Sequence, residues 1–168
     1  FRAGYRAESR LRRGAGLHPY VGYLFGATAS LTLALMLAGL KGVVALIAIS
    51  AYAQAQLLLS DYVQHYGLQR REIAPGKAEP VGPQHSWNAP HSFTSALMLN
   101  APRHSDHHVR PGQPYPGLEI ERQTMPILPY SLPTMAVIAL IPPLWRRIMD
   151  PRARKWAEAR YRPEPAYG

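Results

Sequence analysis

The chain has 168 residues, room for one domain or a piece of a larger one, and it begins at Phe1 rather than Met, so the natural start is expected upstream. It contains no cysteine, which excludes disulfides and thiolate ligands and leaves histidine and carboxylates as its strong metal-binding groups. Nineteen Lys and Arg against ten Asp and Glu give a net charge of +9; arginines flank apolar runs and no basic-aromatic module is present, which favours an anionic membrane face and excludes nucleic acid.

Arg2, Arg6, Arg10, Arg12 and Arg13 make residues 1–19 a basic, cytoplasmic segment. Residues 20–40, YVGYLFGATASLTLALMLAGL, follow without a charge, and Tyr20 and Tyr23 stand at their start as interfacial aromatics do. After Lys41, residues 42–60 are again uncharged. A helix needs about 20 residues to cross the hydrocarbon core. Residues 20–60 therefore read as a transmembrane hairpin whose far-side turn is marked by Lys41 and whose exit at Asp61 is cytoplasmic. Gln54 and Gln56 are expected to face the interior of a bundle; His18 is an interfacial residue.

Residues 61–125 are rich in Pro, Gly, His and Arg and read as a cytoplasmic cap with short helices at 91–99 and around 104–108. The apolar stretch 132–145, LPTMAVIALIPPLW, is too short to span and carries three prolines. The segment 126–150 is therefore expected to be a short re-entrant or interfacial helix, and 151–168 a basic, disordered tail. The fold class is an all-α membrane protein.

Six of the seven histidines lie between His65 and His108. On a helix, His104, His107 and His108 share one side, yet His107 and His108 diverge by about 100°, a geometry that suits two metals better than one. The residues alone leave two readings open, a metal site or a surface cluster. His65 raises the first, because the second span, continued by five residues, carries it to the cap. Asp61, one turn earlier, is expected to accept the other ring N–H of His65. His85 and His91 are read as hydrogen-bond partners of the ligands, and Asp106 as an outer partner or a solvated carboxylate.

Three motifs in this order carry a family signal: DYVQHYGL (61–68), PQHSWNAPH (83–91) and LNAPRHSDHH (99–108). With PPLWRRIMDP at 142–151, they resemble the C-terminal part of the integral-membrane alkane monooxygenases of the histidine-box desaturase/hydroxylase superfamily. That family's motifs read N-Y-x-E-H-Y-G-L, H-S-W-N-S-N-H and L-Q-R-H-S-x-H-H. The resemblance implies a six-helix membrane di-iron fold, two iron ions in a histidine shell at the cytoplasmic side of the bacterial inner membrane, and hydroxylation of a terminal methyl group with O₂ and electrons from rubredoxin or ferredoxin. It implies His65, His104, His107 and His108 as iron ligands.

The chain departs from the pattern at Asp61, at Gln64, where the family has Glu beside a ligand, and at Ala101-Pro102. Boxes of the H-E-x-x-H and E-H-x-x-G-H-H kinds are absent from these 168 residues, so the stretch is expected to be a C-terminal fragment, inactive alone. Two alternatives accompany this reading: a fatty-acid desaturase or hydroxylase acting on a fatty-acyl chain, and a non-catalytic zinc-binding membrane protein. Arg70, Arg71, Arg103 and Arg110 are expected to form a basic surface that meets an acidic electron donor, with phospholipid headgroups as the competing use.

Overall fold

The computed structural model describes residues 2–11 and 16–161. These divide into two compact units, Phe1–Ala55 and Gln56–Gly168.

In the first unit, α1 (Arg2–Leu11) places Arg2, Arg6 and Arg10 four residues apart. Tyr5 from this helix stacks on His18 with ring centroids 4.4 Å apart. The His18 ring also receives the Tyr20 N–H at Nδ1 (3.2 Å) and lies 3.0 Å from Ser9 Oγ. α2 runs from Pro19 to His65, 47 residues rich in Ala and Leu, and is long and apolar enough to cross a membrane.

A straight helix of that length would measure about 70 Å, roughly twice the hydrocarbon core. It is not straight. Regular geometry fails at Ala38 (φ −140°, ψ 17°) and Gly39 (φ 61°, ψ −153°), the latter a conformation essentially reserved for glycine. The chain bends so sharply there that a Cβ on Gly42 would collide with the carbonyl oxygen of Ala34, whereas eight residues of straight helix separate such groups by about 12 Å. Leu33, Leu37, Leu40, Val44, Ile47, Ile49, Gln54 and Gln56 are exposed.

The second unit is built on the end of α2. Gly67, at φ +69°, terminates the helix, and two of its last carbonyls are claimed by one residue: Trp87 donates its main-chain N–H to Gln64 O (2.7 Å) and its indole N–H to Tyr66 O (2.8 Å). Between them runs a two-stranded antiparallel ribbon, β1 (Glu72–Ala74) and β2 (Lys77–Ala78), and a single helical turn at Pro83–His85. α3 (Ser92–Leu97) and α4 (His104–Val109) are the two short helices of the cap.

The stretch 126–150 forms two elements rather than one helix. α5 (Leu132–Ala139) stops short of Pro142, and α6 starts there, using Pro142 and Pro143 in its first turn, where their missing N–H groups bond nothing. α6 continues to Tyr161 through Pro151, so the expected disordered tail is helical over 151–161; residues 162–168 lie outside the described residues. One stripe explains the extension: Met149 is fully buried, Ala153 nearly so, and Trp156 half-buried, and this packing outweighs the hydrogen bond lost at Pro151. The core joins Val63, Trp87, Leu128, Leu132, Met135, Trp145 and Met149, each buried side chain of this size contributing about 1.5–3 kcal/mol.

Candidate metal centre

α4 has only six residues, and each of its faces has a separate task. Ser105 and Asp106 point into the protein. Ser105 is tied to Asn88, whose amide donates to Ser105 Oγ (2.7 Å), Ser86 O (3.0 Å) and Pro126 O (3.1 Å) and whose Oδ1 accepts the Ser105 N–H (3.0 Å). Asp106 takes a two-pronged ion pair from Arg110 (2.8 and 2.7 Å) and the Glu119 N–H (2.9 Å). The Arg110 hydrogen bonds, aided by the Glu119 N–H, hold its carboxyl below the usual range.

With α4 so fixed, His104 and His108 come off one face, four residues apart, and meet His65 at the end of α2. The Nε2 atoms of His104 and His65 are 3.3 Å apart, those of His108 and His104 2.9 Å. One ligand nitrogen from each of the three lies within 4.8 Å of the others. Such spacing is that of nitrogens sharing one ion at about 2.0–2.1 Å.

Burial, reinforced by the neighbouring rings of His108, His65 and His107, pushes the His104 imidazole down to about 3. His108 is lowered for the same reason, opposed by Asp61. Neutral imidazoles with free lone pairs are the protonation state a metal requires.

The tautomer of His65 is set from behind. Its Nδ1 lies 3.0 Å from the carbonyl oxygen of His85 and donates to it, which leaves the Nε2 lone pair facing the cluster. This corrects the role expected of Asp61. At i, i+4 the two side chains share a helix face, so Asp61 Oδ1 sits 3.6 Å from the Nε2 of His65, on the cluster side, and the tautomer is fixed by a main-chain carbonyl instead. The donor chemistry fits a metal: three imidazole nitrogens converge, and one carboxylate stands beside them.

His107 is outside the triad. Its ring stacks on Tyr115 (centroids 5.3 Å, 18°), and its Nδ1 is buried with no hydrogen-bond partner. His104 and His107 both line a cavity of about 460 Å³ whose other walls include Leu57, Leu58, Gln64, Met98, Tyr115 and Leu132. Gln64 accepts a hydrogen bond from Ser60 (3.0 Å) and is buried. The mostly apolar lining, with a few convergent polar groups, is that of a site for a small apolar ligand.

The remaining sequence candidates divide. The His85 carbonyl meets His65 Nδ1, while the His85 ring points to Glu79. His91 does not approach the cluster: its ring is exposed and its carbonyl caps α3 by accepting the Ser95 N–H (2.7 Å). Of the four arginines, Arg110 is spent on Asp106, and Arg103 is half-buried and donates to Leu118 O (2.6 Å). Arg70 and Arg71 remain exposed. Ser105, Asn88, Tyr115 and Glu79 are not among the residues that sequence reasoning selects; for Ser105, Asn88 and Glu79 the one available signal is a polar residue placed between His65 and His108.

Comparison with known proteins bears on this centre. The fatty acid desaturase family model matches residues 1–139. Alkane 1-monooxygenase 2 of Alcanivorax borkumensis is 41% identical over 135 residues, covering 80% of this chain and 34% of that protein. Alkane 1-monooxygenase of Pseudomonas putida is 37% identical over 126 residues (75% and 31%), and alkane 1-monooxygenase 1 of Pseudomonas aeruginosa 39% over 118 (70% and 31%). The chain spans about a third of the length of the curated relatives it matches.

Proposed function

The chain belongs to the fatty acid desaturase family, and from that premise we propose that it forms part of a membrane-bound, non-haem di-iron monooxygenase hydroxylating the terminal methyl of an alkane or related hydrocarbon chain. The observation that carries the proposal is the convergence of His65, His104 and His108 beside an apolar cavity. Relatives named alkane 1-monooxygenase support the reaction class.

In this reading His65, His104 and His108 hold one ion, and His107, which lines the same cavity as His104, offers its nitrogen to a second. Bound iron supplies the oxygen chemistry, which no side chain here can perform. The chain's own residues do the rest. His85 O keeps the His65 proton on Nδ1. Leu57, Leu58, Met98 and Leu132 offer an apolar seat for a chain end next to His104. The two arms of α2 sit in the bacterial inner membrane, so the substrate arrives from the bilayer, while rubredoxin or ferredoxin delivers electrons at the cytoplasmic side, near Arg70 and Arg71.

Four histidines do not complete two iron sites, and the further ligands belong to the longer protein of which this stretch is a part; alone it is inactive. The test is to supply the full-length enzyme in lipid with octane, O₂ and a reduced rubredoxin system and to identify the product. A primary alcohol, with about two irons per chain, supports the proposal; an alkene from a fatty-acyl chain points to a desaturase, and colourless bound zinc without oxygen consumption to a non-catalytic protein.

A further inference from the structure

Behind His65 lies a second tier of contacts. The His85 carbonyl that accepts the His65 proton belongs to a residue whose ring is held at both nitrogens. Nδ1 accepts the Gly82 N–H (2.9 Å), so the ring proton is on Nε2, which faces Glu79 Oε1 at 3.0 Å. Glu79 is in turn fixed: Oε1 accepts the Arg71 N–H (2.9 Å), and Oε2 lies 3.6 Å from the Arg160 guanidinium at the end of α6. From the same helix, the Trp156 indole donates to Gln84 O (3.3 Å), the carbonyl preceding His85.

We infer that Glu79 is a positioning residue of the metal centre: it pins the His85 ring and thereby the His85 carbonyl that orients ligand His65. The His85 side chain is 5% exposed and that of Glu79 15%, so their contact is largely shielded from solvent. The Arg71 N–H, with His85 and Arg160 contributing, keeps Glu79 ionised well below the usual carboxylate range. Without that carboxylate the His85 ring loses its Nε2 partner; the 82–86 turn keeps its Trp156 and Ser105 hydrogen bonds, but the His85 carbonyl is held less firmly against His65 Nδ1, and the direction of the His65 lone pair loosens with it. α6, more than twenty positions beyond the metal-binding motifs at its nearest residue that touches this turn, thus takes part in ligand geometry.

This inference rests on the metal-centre reading above. The experiment uses full-length protein in lipid nanodiscs, titrated with Fe(II) and, separately, with Co(II), whose visible spectrum reports ligand geometry. Glu79→Ala is expected to weaken metal binding by roughly 10- to 100-fold, the usual cost of losing an outer partner, and to shift the Co(II) bands. Glu79→Gln, which retains an acceptor for the His85 and Arg71 N–H groups, should recover most of both. Should Glu79→Ala fail to fold, Trp156→Phe removes the α6 hydrogen bond alone and should give a smaller change of the same sign. Wild-type affinity in these variants, or weaker binding with an unchanged Co(II) spectrum, overturns the inference. A wild-type protein that takes up neither metal overturns the underlying reading as well.

Discussion

Asn88 and Ser105 exchange two hydrogen bonds, side chain to side chain at 2.7 Å and main-chain N–H to amide oxygen at 3.0 Å, and so join the HSWN turn to the helix that carries His104 and His108. Asn88 is fully buried. Asn88→Ala would orphan the Ser105 N–H, at about 1–3 kcal/mol, and would take one donor from Ser86 O, Pro126 O and Ser105 Oγ, acceptors that each keep another hydrogen bond. Asn88→Asp should be worse, since a buried carboxylate would face those acceptors with no donor to offer. Thermal unfolding measures the loss; metal retention should fall with it, and a stable Asn88→Ala protein with full metal content would show that the turn does not set α4.

The histidines are not equivalent. His65→Ala, His104→Ala and His108→Ala should each weaken metal binding in the full-length protein by more than the roughly 10- to 100-fold typical of an outer partner. His91→Ala, at an exposed ring, should leave the metal content unchanged. Metal analysis after gel filtration separates the two groups, and a metal loss in His91→Ala equal to that in His104→Ala would remove the distinction.

Gly67 ends α2 at φ +69°, and a Cβ there would come within 2.7 Å of the Ala153 Cβ on α6. Gly67→Ala therefore combines a left-handed backbone, about 1–2 kcal/mol, with overpacking of about 1–3 kcal/mol. A melting temperature lowered by several degrees is expected, with Gly76→Ala on the ribbon, which has open space around it, losing only the backbone part.

Arg110 and Arg70 should fail in different ways. Arg110→Ala strips buried Asp106 of its ion pair and should lower stability whatever the electron donor. Arg70→Glu, at an exposed position, should leave melting unchanged and slow rubredoxin-supported turnover at low salt, the gap closing as ionic strength rises. Stopped-flow reduction at two salt concentrations decides it.

Glu79 also gives a pH dependence. Its carboxyl titrates below its ordinary value of 4.5 in the folded chain. Its contribution is therefore complete above about pH 4.5 and is lost as the pH falls through the lower folded-state value. Between about pH 6 and about pH 3 the melting temperature of Glu79→Gln should decline less steeply than that of the wild type; parallel curves would show that the carboxylate carries no such linkage.

What the sequence made legible was local. Charge-free length marked α2, and helical spacing with the H-x-x-H-H pattern marked α4 and its metal face. The contacts that position those parts were not legible, because they join residues far apart in the chain or use atoms every residue has. The His65 Nδ1 partner is a main-chain carbonyl, which leaves no side-chain signature at position 85. Asn88 and Ser105 are 17 residues apart, and nothing in either motif specifies the pairing. The basic composition of 151–168 reads as a disordered tail, and only the seating of Met149 and Ala153 against the core shows why the helix runs on to Tyr161.

The meeting of His65, His104 and His108 also bears on which ion is taken up. Three imidazoles form a donor set that first-row divalent cations share, and across that series affinity rises from Fe(II) towards Cu(II), with Zn(II) also above iron. Nothing in these three rings inverts that order. In the proposed di-iron reading, selection of iron then comes from the other ligands of the full-length enzyme or from what the cell offers during assembly, and protein produced in zinc-rich medium should emerge loaded with zinc and silent towards oxygen.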